Sequence, residues 1–121
     1  MVWFIAAGCA SCAASIPAIA ANYCHLHTDG VRVVTLGLWG AFPQGRTGLA
    51  QLTGFVRSVG GTFDSPGWEW GTASQTLSEA YDPSGTPDVY VLIDTRGRVV
   101  YRNSVPVSTM SQLLLAAAHL N

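Results

Sequence analysis

Charge is what this chain has least of. Only 11% of its 121 residues are Asp, Glu, Lys or Arg, the net charge is -1, and the six Lys+Arg are scattered. No basic stripe exists that could neutralise a run of phosphates, so nucleic acid is excluded as a partner. No stretch approaches the ~20 consecutive apolar residues of a membrane span. Three cysteines are too few for a disulfide framework, and a close pair plus a separate Cys24 suits one reactive couple better. Neither an internal repeat nor a low-complexity segment interrupts the chain. At the amino terminus no positively charged segment precedes the apolar run, and the run is shorter than a signal core of at least ~7 residues plus its flank. Ile5-Ala6-Ala7-Gly8-Cys9 loosely matches a lipoprotein cleavage site, but without that charged segment lipidation of Cys9 is the weaker reading. A hydrophobic content of 49% in this length supports one core and not two, hence a single domain over 1–121.

What is there begins with Cys9-Ala10-Ser11-Cys12. The pair follows the apolar run Val2 to Ala7 and opens a small-residue stretch carrying Pro17. A strand running into paired thiols at a helix start is a redox-site signature. Unpaired backbone N–H groups and the positive end of the helix dipole favour a thiolate there, and the thiolate is the attacking species in disulfide exchange.

Along the chain, strand-like and helix-like segments alternate, which predicts an α/β domain. Val2 to Ala7 reads as a buried strand and residues 10–26 as a helix, with Ile16, Ile19, Ala20 and Tyr23 on one face and a kink expected at Pro17. Asp29-Gly30 turns into the β-branched run Val31 to Leu38, completing a strand–helix–strand unit with parallel strands. Thr47 to Val59 has helical spacing and ends at Gly60-Gly61, and residues 62–71 read as irregular. A short helix over Ser74 to Tyr81 leads into the turn cluster Asp82-Pro83-Ser84-Gly85. Val89 to Ile93 and Arg98 to Tyr101 flank Asp94-Thr95-Arg96-Gly97 as an antiparallel hairpin, and Ser108 is expected to cap a last helix.

With these features in order, the chain resembles the thioredoxin-fold oxidoreductases, and within them the TlpA/ResA-type group that includes cytochrome c maturation thioredoxins. Four features carry the resemblance: the Cys9–Cys12 pair, Pro17 five residues after the second cysteine, Gly85-Thr86-Pro87 leading into Val89 to Asp94, and the extra segment between Gly37 and Ser84. The resemblance implies a central mixed sheet with a hairpin edge and flanking helices, plus an inserted helix and loop between the second and third core strands. It implies Cys9 as nucleophile and Cys12 as resolving thiol, acting through a mixed disulfide on protein thiols and disulfides. Thr86 and Pro87 would contact substrate, with Pro87 cis and packed beside the pair. It implies reduction of protein disulfides, a second redox partner that recharges the site, no cofactor, no metal, and a monomer. The expected location is extracytoplasmic, exported or tethered in a longer precursor, with the cytoplasm left open.

Three positions depart from the pattern. Gly8 replaces the Trp that many members carry before the first cysteine. Trp3 stands where cytoplasmic thioredoxins keep a buried Asp that helps deprotonate the second cysteine, and Ser15 where some members keep a Glu for the same task. The proton acceptor is thereby unassigned. Asp64, Glu69 and Glu79 are candidates by proximity alone, and solvated surface carboxylates are the plainer reading. Cys24-His25-Leu26-His27 invites a metal, but it lies roughly 18 to 22 Å along one helix from the pair, too far for one ion. Cys24 is expected as a small buried hydrophobe and His25, His27 and His119 as surface residues. Trp68-Glu69-Trp70 is expected to pin an irregular loop, with an exposed docking lip as the functional alternative. Against the exchange enzyme stands a non-catalytic binding or soft-metal delivery module. The absence of His between Thr28 and Ala118 counts against it.

Overall fold

Alternation along the first strand decides the architecture. In the computed structural model, which describes residues 1–120, Trp3, Phe4 and Ile5 are all fully buried, although successive side chains of a strand point to opposite faces. Both faces are therefore covered, and the strand is central. The elements are β1 (Val2–Ile5), α1 (Ala10–Thr28), β2 (Val33–Gly37), α2 (Gly45–Ser58), β3 (Trp68–Thr72), α3 (Gln75–Tyr81), β4 (Val89–Ile93), β5 (Val99–Ser104) and α4 (Met110–Ala118). The sheet order is β3-β2-β1-β4-β5. As predicted, β1 and β2 are parallel, with Val2 opposite Val34 and Ile5 opposite Gly37, while β4 runs antiparallel to β1 with Tyr90 opposite Trp3.

Two apolar clusters follow from this alternation. One joins Trp3, Ile5, Val33, Tyr90 and Leu92 of the sheet to Cys12, Ile16, Ile19 and Leu26 of α1, Leu52 and Val56 of α2, and Leu113 and Ala117 of α4. The other sets Phe4, Leu36, Leu38 and Ala73 against Leu77 and Tyr81. Of the predicted face of α1, Ile16 and Ile19 are buried, Tyr23 is half-buried and Ala20 is exposed. α1 is unbroken through Pro17, which is exposed.

The hairpin forms as expected, because Asp94 supplies its own turn chemistry. Its Oδ1 accepts the amides of Arg96 and Arg98, each at 2.9 Å, and Gly97 takes φ +82°. The Arg98 amide is also the main reason the Asp94 carboxyl is held below the usual carboxylate range.

The segment expected to be irregular is instead partly a strand. β3 pairs parallel with β2 along the sheet edge, from Val33 opposite Trp68 to Gly37 opposite Thr72. Trp68 is buried, donates its indole N–H to Thr35 Oγ1 at 2.9 Å, and stacks on Trp70 at 4.9 Å between centroids. Glu69, between them, faces solvent and pairs with Arg32 at 2.7 Å. The two tryptophans thus anchor this segment to the core, on a strand and not a loop. Gly67 and Gly71 gave it the look of a turn region; only the pairing to β2, a tertiary event, makes it a strand. At α4 the residue before the helix is Thr109 and not Ser108. The Thr109 hydroxyl donates toward the carbonyls of Ser104 and Val105 and is hydrogen-bonded to Tyr90 OH at 2.7 Å, so it ties the helix start to β4.

Trp68→Ala should lower stability by ~3–5 kcal/mol, the range for truncating a buried large aromatic. Urea unfolding followed by circular dichroism would measure it, and a midpoint within error of the parent would refute the anchoring role.

Candidate active site

Immediately after β1 the chain turns through Gly8 at φ +78° and enters α1 at Cys9, the N-cap residue. A Cβ at Gly8 would meet nothing within 4 Å, so glycine is needed there for its backbone conformation and not for space. Cys9 Sγ accepts the Cys12 amide at 3.1 Å and lies 3.4 Å from Ser11 Oγ. Cys9 and Cys12 are disulfide-bonded, with their Cα atoms 5.2 Å apart. The two sulfurs differ in setting. Cys9 is half-buried, whereas Cys12 is wholly buried against the core. No acidic residue occupies the first turn of α1 to offset the positive helix end at Cys9.

The loop from Asp82 to Asp88 leads from α3 into β4. Asp82 is buried, and its Oδ1 holds the Thr86 amide at 3.2 Å and Ser84 Oγ at 3.4 Å, while Oδ2 has no partner among the described residues. Burial pushes the Asp82 carboxyl up; the Thr86 amide, Ser84 and the charge of Arg102 pull the other way. Thr86 is exposed and Pro87 half-buried. The expected cis bond at Pro87 is absent: no peptide bond among the described residues is cis. The chain reverses one residue later, at Asp88, which takes φ +68° and whose amide donates to Phe4 O at 2.7 Å. A non-glycine residue in the left-handed region thus follows a trans proline at the entrance to β4.

Asp88 was not singled out by the sequence. It is fully buried, and its carboxylate accepts Trp3 Nε1 at 2.7 Å on Oδ1 and Ser15 Oγ at 3.3 Å on Oδ2. One of its carboxylate oxygens and the sulfurs of Cys9 and Cys12 all lie within 4.8 Å of one another. Of this loop it is Asp88 that reaches the pair. The signal was present as an acidic residue directly after Pro87, in a loop already expected against the cysteines. These are also the three donors that come nearest to a metal site among the described residues, but with the sulfurs bonded to each other only the carboxylate is free.

The other candidates fall away from this centre. Glu69 and Glu79 are exposed and engaged with Arg32 and Gln75, and Asp64 is exposed, as surface carboxylates should be. Cys24 is exposed and not the buried hydrophobe expected, because Leu26 takes the inward position at that end of α1. His25, His27 and His119 are exposed as expected, and Cys24, His25 and His27 join no three-donor group among the described residues.

A mixed five-stranded sheet with a cysteine pair at the start of the helix after its central strand defines a thioredoxin-like fold. No protein-family model matches the chain, and no curated protein matches it. Among solved structures it is similar to a candidate thiol:disulfide interchange protein, DsbE, from Chlorobium tepidum. The TM-score is 0.65 at 20% identity, covering 97% of this chain and 77% of that one, which establishes the shared fold.

Asp82→Asn keeps the acceptor for Thr86 and removes a buried charge that has one unpartnered oxygen. Because the folded carboxyl is raised above its unfolded value, the folded state binds the extra proton, and stability falls as pH climbs through that window. The variant should therefore gain about 1 kcal/mol over the parent at neutral pH, with the gain vanishing below the ordinary carboxylate range near pH ~4. Thermal unfolding across pH checks it; a gain that is constant with pH would contradict this account.

Proposed function

We propose that this protein is a thiol–disulfide oxidoreductase that reduces protein disulfides through Cys9 and Cys12. The observation that carries the reading is the inequality of the two sulfurs at one helix start: Cys9 is accessible and receives an amide N–H, while Cys12 is enclosed one turn further in. In the reduced form the Cys9 thiolate attacks a partner disulfide, forming a mixed disulfide and releasing one partner thiolate. Cys12 then attacks Cys9 Sγ, the bond to the partner breaks, and the partner leaves with two electrons while the pair is oxidised. Thr86 and Pro87 precede Asp88 in the same loop, and in this reading they contact the partner. With the Thr86 amide engaged by Asp82, an extended partner segment would use the Thr86 carbonyl and the Pro87 ring.

In this reading one domain carries the activity, a separate reductant recharges the pair, and the work is done outside the cytoplasm in an exported or tethered form, as the family resemblance implies. No helix among the described residues is long and apolar enough to cross a membrane. Reduction and oxidation differ only in potential, which spans roughly -270 to -120 mV across this fold. Equilibration of the couple in a dithiothreitol redox buffer should place it toward the reducing end. A potential at the oxidising end would reverse the proposed direction, and failure to cycle would favour a binding module.

Cys9→Ser should abolish turnover, whereas Cys12→Ser should leave the first attack intact and accumulate a mixed disulfide with the partner. Mass spectrometry after brief alkylation of the reduced protein near neutral pH should find Cys9 modified first. Faster labelling of Cys12 or Cys24 would show that the nucleophile is misassigned.

A further inference from the structure

The geometry points to a redox-gated cation site: when the Cys9–Cys12 bond is reduced, the two sulfurs and the Asp88 carboxylate hold one divalent, borderline-soft metal ion of the Zn²⁺ class. The inference goes beyond the exchange reading and needs only that the pair be reducible. Two cysteines separated by two residues are a recurrent zinc-ligand spacing, and the disulfide places both sulfurs at one point of the helix start. A carboxylate oxygen of Asp88 and the two sulfurs lie within 4.8 Å of one another. Ligands around a tetrahedral zinc ion stand roughly 3.3–3.8 Å apart, given bonds of about 2.0–2.3 Å. Reduction frees the sulfurs to part to that separation, and the carboxylate lies at most ~1.5 Å beyond it.

The chemistry of the donors selects the ion. Two thiolates and one carboxylate suit zinc, whereas magnesium and calcium take oxygen alone. A metal ligand needs support of its own, and each donor here has it. Trp3 Nε1 and Ser15 Oγ each bond one Asp88 oxygen, which fixes the carboxylate and leaves further lone pairs for an ion. Cys9 Sγ accepts the Cys12 amide at 3.1 Å, a contact that stabilises a metal-bound thiolate. Three anionic donors around a divalent ion leave one net negative charge, and the positive end of α1, with no acid in its first turn, offsets it. Cys12 and Asp88 are buried, while Cys9 is half-buried and a Cβ on its neighbour Gly8 would meet nothing within 4 Å. That open side leaves the fourth coordination position to a water molecule, as in zinc sites with three protein ligands.

Loading exchanges protons for the ion. Cys9 and Cys12 each lose a thiol proton to solvent, and two bonds to sulfur and one to the Asp88 oxygen form. Discharge follows oxidation. A disulfide oxidant takes two electrons from the paired sulfurs and leaves as two thiolates, the Cys9–Cys12 bond closes, and the ion departs with its charge unchanged. While the ion is bound, Cys9 is a ligand and its attack on a partner disulfide is suppressed.

The test uses the full chain in a Cys24→Ser background, so that the exposed third thiol contributes nothing. The protein is reduced with dithiothreitol, freed of it without air, and titrated with Zn²⁺ against a chromophoric chelator. The reduced chain should take up one Zn²⁺ and the oxidised chain none, and Co²⁺ in its place should show the intense visible bands of a tetrahedral thiolate site. Asp88→Asn should weaken Zn²⁺ binding by about 10²-fold or more, because even the loss of a group that only supports a ligand costs about 10–100-fold. Equal uptake by the reduced and oxidised chains, or uptake by neither, overturns the proposal. So does an Asp88→Asn variant that binds as tightly as the parent, since the site would then be the two sulfurs alone. Should that variant fail to fold, Ser15→Ala removes one support from the same carboxylate and should weaken binding by about 10-fold. An unchanged affinity there overturns the assignment of Asp88 as a ligand. The exchange reading fails separately, by a pair that does not cycle in a redox buffer, whereas the titration starts from chains already reduced.

Discussion

The constraint on which the rest depends is one buried carboxylate held by two donors from distant parts of the chain. Trp3 and Asp88 are 85 residues apart, Ser15 and Asp88 are 73 apart, and the bonds between them tie β1, α1 and the loop before β4 to one point. A charge taken out of water is tolerated only when hydrogen bonds replace the lost hydration. The requirement works in both directions. An indole N–H inside the core and a serine hydroxyl inside a helix are themselves groups that need an acceptor. The backbone reinforces the point: Asp88 donates to Phe4 O and accepts from Val105 N, while Ser15 Oγ also receives the Val107 amide at 3.2 Å.

Much of the architecture was legible because it is written locally. The β-branched run around Val33, the small-residue stretch after Cys12, and the Asp94 turn each combine a propensity with a stop signal. The cysteine pair was legible for the same reason, since strand, thiols and helix start are contiguous. Trp68 to Thr72 was not legible as a strand, because its glycine flanks resemble a turn and its pairing depends on β2 already being in place. The position of Cys24 was misjudged because Cys24 and Leu26, two residues apart on α1, lie on opposite faces, and it is Leu26 that faces the core.

The polar part of the site was hidden more deeply. Trp3 and Ser15 looked like losses, positions at which an acid was missing. In the fold both are donors to an acid that enters from the opposite side. Nothing in their local sequence announces this, because the complementarity appears only when three segments meet. The same residue also takes a φ of +68°. A side chain held by two bonds and a backbone held by two more can keep a non-glycine residue in that sparsely populated conformation.

The ring closed by Cys9 and Cys12 spans a sequence separation of only three. Chain-entropy arguments assign a loop this short a stabilisation of about 2 kcal/mol, well below that of a long loop. Oxidation therefore constrains the unfolded chain little, and the balance between dithiol and disulfide is left to the local field of the folded protein. That field is uneven across the two sulfurs, with the positive end of α1 on one side and the Asp88 carboxyl on the other. In the proposed redox role, charge placement over a few ångströms would then set the electron affinity of the pair, and a single substitution there would retune it while the scaffold stays as it is.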